Sequence, residues 1–281
     1  MKLGELKKKL KQELETQFTE RETQQLLNLL FEKFLDLSRV QQTVNAEEVI
    51  SQVHIKSINQ AVEQLKQHVP IDYIINETSF YGREFYVDKR VLIPRSETEE
   101  LVLWILEREQ TEGLSILDIG SGSGCIPITL SLEGDFKQVD ACEISAEANE
   151  VAEINAKMLN ASVNFSLLDI LTQTPKKQYD IVVSNPPYVK QEELKGLDKN
   201  VVEHEPLIAL APIGDPLTFY KRMITIAPEM LKVGGSLYWE IHEDLGNEVV
   251  ALLKSSKLFN SIELKQDLYD RDRLVRAVFT G

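Results

Sequence analysis

The run Asn185-Pro186-Pro187-Tyr188 carries groups suited to holding a planar –NH2 group. The Asn185 side chain offers a carbonyl to accept one N–H. Pro186 has no N–H of its own but keeps its C=O, so its backbone can accept the second. Tyr188 offers an apolar face to lie against the target plane. Two acceptors and a ring would hold a nitrogen with its lone pair facing an electrophile. Taken alone, Asn-Pro also marks an ordinary turn. Its setting separates the two readings. It follows the apolar run Tyr179–Ser184, which reads as a buried parallel strand. Open α/β sheets bind ligands at the carboxyl ends of such strands.

A second group of residues lies upstream. The apolar strand Ser115–Ile119 runs into Gly120-Ser121-Gly122-Ser123-Gly124, and a helical run beginning at Cys125 follows. Strand, glycine turn and helix is the nucleotide-binding order, and glycines let the backbone come close to a ligand. The G-x-G-x-G spacing meets neither the dinucleotide pattern nor the phosphate P-loop. Pro127 fits only in the first helical turn, which puts the helix start near Gly124. The next strand, 138–142, ends in Glu143, about twenty positions after the glycines, where a ribose hydroxyl acceptor is usual. A third, 163–168, ends in Asp169, placed for an adenine amino group. Glycine loop, Glu143, Asp169 and Asn185 thus fall at the carboxyl ends of successive strands.

With these motifs the chain resembles class I S-adenosylmethionine-dependent methyltransferases. Asp118-x-Gly120-x-Gly122-x-Gly124 is similar to their first motif, Glu143 to their second, and Asn185-Pro186-Pro187-Tyr188 to their amino-methyltransferase motif. A narrower resemblance is to the glutamine N5-methyltransferases that modify peptide-chain release factors. It rests on Phe80-Tyr81-Gly82-Arg83-Glu84-Phe85-Tyr86-Val87, on the run from Val91 to Glu99, on Glu205-Pro206-Leu207-Ile208-Ala209-Leu210, on Glu240-Ile241 and on Asp270-Arg271-Asp272-Arg273. It extends from about Pro70 to the C-terminus. Four positions depart from the family: Ser96 replaces a usual proline, His242 a frequent glycine, and Asp215-Pro216 a common Asp-Gly. Ile170 stands where some relatives carry an aromatic over the adenine. Ser96 and Glu99 read as an S-x-x-E capping box for the helix that follows.

The resemblance implies S-adenosylmethionine as cofactor. It would be held by Gly120, Ser121, Gly122, Ser123, Gly124, Glu143, Asp169 and Ile170, with Asn185 bordering it. Asn185, Pro186, Pro187 and Tyr188 would act on the substrate, with Glu205 beside them. The implied substrate is a class I release factor, modified at the glutamine of its Gly-Gly-Gln loop. Two alternatives stand beside this: an N6-adenine or N4-cytosine nucleic-acid methyltransferase, and a non-catalytic S-adenosylmethionine-binding scaffold.

Composition narrows the classes. The net charge is −14, and residues 1–70 hold ten basic and ten acidic side chains, so the whole excess lies in 71–281. A nucleic-acid surface needs Lys and Arg to replace counterions, so direct nucleic-acid binding is not expected. No signal peptide or apolar run long enough to span a membrane is seen. Cys125 and Cys142 read as free thiols of a reducing compartment, and a cytoplasmic location is expected. His54, His68, His204 and His242 show no metal-ligand spacing, and no metal is expected.

The elements that must position these residues can be read coarsely. Residues 1–70 predict a helical domain with amphipathic faces at Leu3, Leu6, Leu10, Leu14 and Phe18, at Leu26 to Leu35, at Val49, Ile50 and Val53, and at Ile58 to Leu65; the protein substrate that the resemblance implies makes it a substrate-docking domain. Pro70 is expected to end its last helix. Residues 71–95 form a linker in which two β-like runs, turning around Gly82 and around Asp88-Lys89-Arg90, predict a hairpin. The catalytic domain, 96–281, is expected to be an α/β Rossmann-like methyltransferase sheet of seven strands. The sheet should be mostly parallel, with an antiparallel hairpin from 261–266 and 274–279. Residues 189–216 lack periodicity and read as a lid or substrate-docking loop.

Overall fold

The computed structural model describes residues 1–281, which divide into two compact units. The first unit comprises Met1–Asn76 and Asp198–His204. Its helices are α1 (Leu3–Leu14), α2 (Glu20–Leu35), α3 (Arg39–Val44), α4 (Gln52–Lys66) and α5 (Ile71–Ile75). Apolar residues at three- and four-residue steps bury one face each of α1, α2 and α4, and these faces meet in a core around Leu6, Leu10, Leu27, Phe31, Ile58 and Leu65. The expected helical face at Val49, Ile50 and Val53 does not form. Ser51 caps α4, its side chain accepting from the His54 N–H, so the helix starts only at Gln52. Val49 instead bridges Lys2 and is 77% exposed. Pro70 does not end the last helix. α4 stops at Lys66, and Pro70 sits at the N-cap of α5, where its fixed φ suits helix entry. Residues 198–204 contribute a short helix, α6 (Lys199–Val202), and a His204 Nε2 contact with the Gln67 carbonyl at 2.9 Å.

The second unit comprises Glu77–Leu197 and Glu205–Gly281. It opens with the hairpin β1 (Thr78–Phe80) and β2 (Arg83–Phe85), which turns at Tyr81 and Gly82, both at positive φ. The second β-like run does not pair. Asp88 folds its carboxylate onto Arg90, accepting from the backbone N–H and the guanidinium, and this closes a tight turn in place of a strand.

Seven strands form one sheet: β3 (Ser115–Ile119), β4 (Gln138–Glu143), β5 (Asn164–Leu167), β6 (Tyr179–Ser184), β7 (Leu231–Glu240), β8 (Phe259–Gln266) and β9 (Asp272–Phe279). Their order is β5-β4-β3-β6-β7-β9-β8; only β9 runs against its neighbours. Side chains alternate between two apolar layers. Leu117, Val182, Leu237 and Trp239 face one layer, whereas Ile116, Ile181, Val183 and Tyr238 face the other. The strand order reverses between β3 and β6, so a crevice opens at their carboxyl ends. Register then aligns the loops. Ile119 pairs with Cys142 and Ser184, and Ser184 pairs with Trp239. One residue further along, Glu143, Gly120, Asn185 and Glu240 therefore end four adjacent strands in one row.

Candidate active site

The glycine loop bends because its glycines occupy backbone space closed to other residues. Gly120, Gly122 and Gly124 have φ of 79°, 52° and 80°. A Cβ on Gly120 or Gly122 would project into open space, whereas one on Gly124 would meet Ile128 Cδ1 at 2.8 Å and Ala152 Cβ at 3.1 Å. The first two glycines thus leave the crevice floor bare, and the third lets α7 (Cys125–Glu133) pack close. Asn155, fully buried on α8 (Ala146–Leu159), donates to the Ser123 carbonyl at 2.9 Å and pins the loop from behind.

Glu143 braces the same loop. One carboxylate oxygen accepts from the Gly122 N–H at 3.0 Å, the other from the N–H groups of Ile144 and Ser145 at 2.8 and 3.0 Å. Asp118, inside β3, has neither oxygen hydrogen-bonded although it is buried, and the Ser121 hydroxyl is equally unpartnered. Burial, reinforced by the neighbouring Glu143 charge, drives the Asp118 carboxyl well above the usual range. A buried acid beside a second carboxylate, next to a bare glycine floor, is the acceptor set a cationic amino-acid ligand needs. These residues fit S-adenosylmethionine, whose sulfonium and ammonium carry positive charge. Asp118 was not among the residues expected from sequence to hold the cofactor, though an acid amid Ile116, Leu117 and Ile119 is a visible signal.

Asp169 follows β5 by two residues. Its carboxylate accepts from the Leu171 N–H at 2.9 Å and the Thr172 hydroxyl at 2.8 Å, closing a local turn. Ile170 points into the apolar layer with Ile119, Cys142 and Met223, and its carbonyl accepts from Arg222 Nε at 2.9 Å.

The substrate side is built differently. Asn185 Nδ2 donates to Thr98 Oγ1 at 3.1 Å. Thr98 Oγ1 donates to Glu240 Oε2 at 2.6 Å, and Tyr188 OH donates to Glu240 Oε1 at 2.9 Å. Glu240 is only 1% exposed, and burial raises its pKa while Thr98, Tyr188 and the charge of Arg273 pull it back down. The Tyr188 ring meets the His242 ring edge-on, centroids 6.0 Å apart. His242 reaches Glu193 Oε2 at 3.0 Å, and Lys190 Nζ lies 3.2 and 3.3 Å from Glu193 and Asp244. Residues far apart in sequence thus brace the segment after Tyr188, and His242 is one of them.

Glu205 is buried and turned inward. Its carboxylate accepts from the Ile93 N–H at 3.2 Å and Arg95 Nη2 at 2.7 Å. The expected capping box at Ser96 is absent. Ser96 is the first residue of α9 (Ser96–Arg108), so α9 precedes the glycine loop, and Glu99 is taken by the Tyr81 N–H at 2.7 Å. Tyr81 sits at positive φ in the hairpin turn, and its N–H, which the two-stranded ladder leaves unpaired, outcompetes the local cap.

Comparison with known proteins agrees with this architecture. Residues 98–267 match the methyltransferase small domain family, and residues 5–75 match the PrmC N-terminal domain. Among solved structures, a methyltransferase from Pyrococcus furiosus superposes with a TM-score of 0.53 at 17% identity, covering 79% of this chain and 98% of that one. That likeness supports the fold. The release factor glutamine methyltransferase of Flavobacterium psychrophilum is 38% identical, over 95% of this chain and 96% of the relative. Those of Bacillus subtilis (39%; 90% and 89%) and Streptococcus pneumoniae (37%; 98% and 98%) are similar over comparable lengths. The chain is therefore an S-adenosylmethionine-dependent enzyme and belongs to the release factor glutamine methyltransferase family.

Proposed function

We propose that the enzyme methylates the side-chain amide nitrogen of the glutamine in the Gly-Gly-Gln loop of class I peptide-chain release factors, in the cytoplasm, and so modulates translation termination. The observation that carries this reading is the Asn185 amide. Its Nδ2 is spent on Thr98, which leaves Oδ1 as the acceptor that would act with the carbonyl of the next residue, Pro186. A primary amide has two N–H groups to donate, which matches that pair.

Bound S-adenosylmethionine would supply an electrophilic methyl group. Glu143 and Asp118 would hold it over the bare floor left by Gly120 and Gly122, and Asp169 would face its adenine side. The chain's own part is orientation. An amide nitrogen is a poor nucleophile because its lone pair is delocalised. Holding it in line with the methyl carbon can contribute several kcal/mol, roughly 7–11 in the best-aligned cases. As the nitrogen gains positive character, its N–H groups become stronger donors, and Asn185 Oδ1 and the Pro186 carbonyl stabilise that charge. The proton can leave after transfer, so no strong base is required. Tyr188, anchored by its hydroxyl to Glu240, would present its ring to the amide plane.

The net −14 charge counts against a nucleic-acid substrate. Incubation with methyl-labelled S-adenosylmethionine tests the proposal. Label should enter intact release factor and a Gly-Gly-Gln peptide, and should disappear when that glutamine is replaced. Transfer to a DNA or RNA oligonucleotide, with none to either protein substrate, would overturn it.

A further inference from the structure

We propose that Thr98 and Glu240 are positioning residues that fix which end of the Asn185 amide faces the substrate; the assignment rests on the function proposed above. An asparagine amide is nearly symmetric in shape but not in polarity: rotated by a half-turn, it offers an NH2 in place of a C=O. Facing a substrate amide, the flipped form would set N–H against N–H. The Asn185 side chain does not carry the information to choose.

The choice is made by a chain of donors that starts at Glu240. An ionised carboxylate only accepts, and both oxygens of Glu240 are occupied: Oε1 by the Tyr188 hydroxyl at 2.9 Å, Oε2 by the Thr98 hydroxyl at 2.6 Å. Thr98 has one hydroxyl proton, and Glu240 takes it. Toward Asn185 it can therefore present only a lone pair, which must be met by Nδ2, at 3.1 Å. Oδ1 is left pointing the other way. One buried charge thus sets two things at once: the polarity of the Asn185 amide and the seat of the Tyr188 ring. Burial works against that charge, and the Thr98 and Tyr188 hydroxyls together with Arg273 oppose the burial. Thr98 sits in the first turn of α9 and Glu240 ends β7, so the relay also joins two elements to the loop after β6.

Thr98→Val, which keeps shape and removes the hydroxyl, tests the relay against Thr98→Ser, which keeps the hydroxyl. In the full-length enzyme, Thr98→Val should lower kcat about ten- to hundredfold, with KM for the Gly-Gly-Gln peptide and Kd for S-adenosylmethionine within about threefold. Thr98→Ser should recover most of the lost kcat. An activity-independent readout is the Asn185 side-chain NH2 signal in a nitrogen-15 spectrum, identified by its loss in Asn185→Asp. One of its protons should exchange slowly with water in the wild type and in Thr98→Ser, and at least about ten times faster in Thr98→Val. If Thr98→Val does not fold, Glu240→Gln is read by the same signal, with the same expected loss of protection. The relay is wrong if exchange at Asn185 is unchanged, if kcat stays within twofold, or if valine and serine cost the same. A wild-type enzyme inactive on every Gly-Gly-Gln substrate would overturn the function proposed above, and the Asn185 signal would still decide the relay.

Discussion

At the glycine loop, both Asp118 carboxylate oxygens and the Ser121 hydroxyl are buried without a partner; at the Asn185–Tyr188 corner, Thr98, Glu240 and Tyr188 are all paired. The two lips of one crevice are thus finished in opposite ways. Unmet buried polar groups cost about 1–3 kcal/mol each, and a ligand that meets them recovers that cost on binding. Groups already paired have no such cost to recover, and they do not have to move when a ligand arrives. The glycine side is arranged for affinity and the asparagine side for rate. Substitutions on the two sides should therefore change different constants.

The largest effect is expected from Asn185→Ala. It removes an acceptor whose worth grows in the transition state, about 2–4 kcal/mol, so turnover should fall by roughly thirty- to a thousandfold. S-adenosylmethionine Kd, measured by calorimetry, should stay within a few fold. Near-normal methylation by this variant would break the comparison at its rate side.

Glu143→Ala should do the reverse. The carboxylate braces Gly122, Ile144 and Ser145 as well as facing the ligand, so its loss loosens the loop. Charge-assisted bonds of about 1.5–3 kcal/mol correspond to a roughly ten- to hundredfold weaker cofactor Kd. At saturating cofactor, kcat should recover to within a few fold of wild type. Unchanged affinity would mean that the glycine side is not where the cofactor is held.

Asp118→Asn separates cost from use. Because its native pKa is raised, the folded protein keeps a proton that the unfolded chain releases. That contribution to stability is full below the unfolded value, about 3.9, and is lost as pH rises through the native pKa. The ligand-free variant should therefore melt a few degrees above wild type at pH 7–8, with the gap closing toward pH 4. Its cofactor affinity should fall. A variant that melts lower at pH 8 would show that Asp118 is not an unmet charge.

The smallest effect concerns the thiols beside the loop. Burial pushes both Cys125 and Cys142 up to about 12, so alkylation at pH 8 should be slow. If the unmet groups loosen this side, saturating S-adenosylmethionine should slow labelling a further few fold. Equal rates with and without cofactor would place the loosening elsewhere.

Much of this site is legible in one dimension. Buried parallel strands read as short apolar runs, and Ser115–Ile119 and Tyr179–Ser184 end where their sequence says they should. The glycine spacing and Asn-Pro-Pro-Tyr are contiguous, so their chemistry is visible without a fold. Thr98 and Glu240 are not legible in the same way. They lie 142 residues apart; the β6–β7 register sets Glu240 beside Asn185, and the first turn of α9 brings Thr98 to both. Local signals misled where a distant group competed, as when Tyr81 claimed Glu99 from its expected cap. They also mislead where a stronger local signal stands nearby: Ser51 caps the helix at Gln52 and leaves Val49 and Ile50 outside it.

The helical unit is assembled from two stretches of chain, Met1–Asn76 and Asp198–His204. That bears on how the molecule can be cut and recombined. Trimming the N-terminus near Pro70 removes most of the unit but leaves its second piece behind, with the His204 imidazole stripped of the Gln67 carbonyl. A chimera that borrows the helices of a relative has to borrow the short insert as well, as a matched pair. Exchanges made at one junction should yield poorly behaved hybrids, and exchanges made at both should yield sound ones.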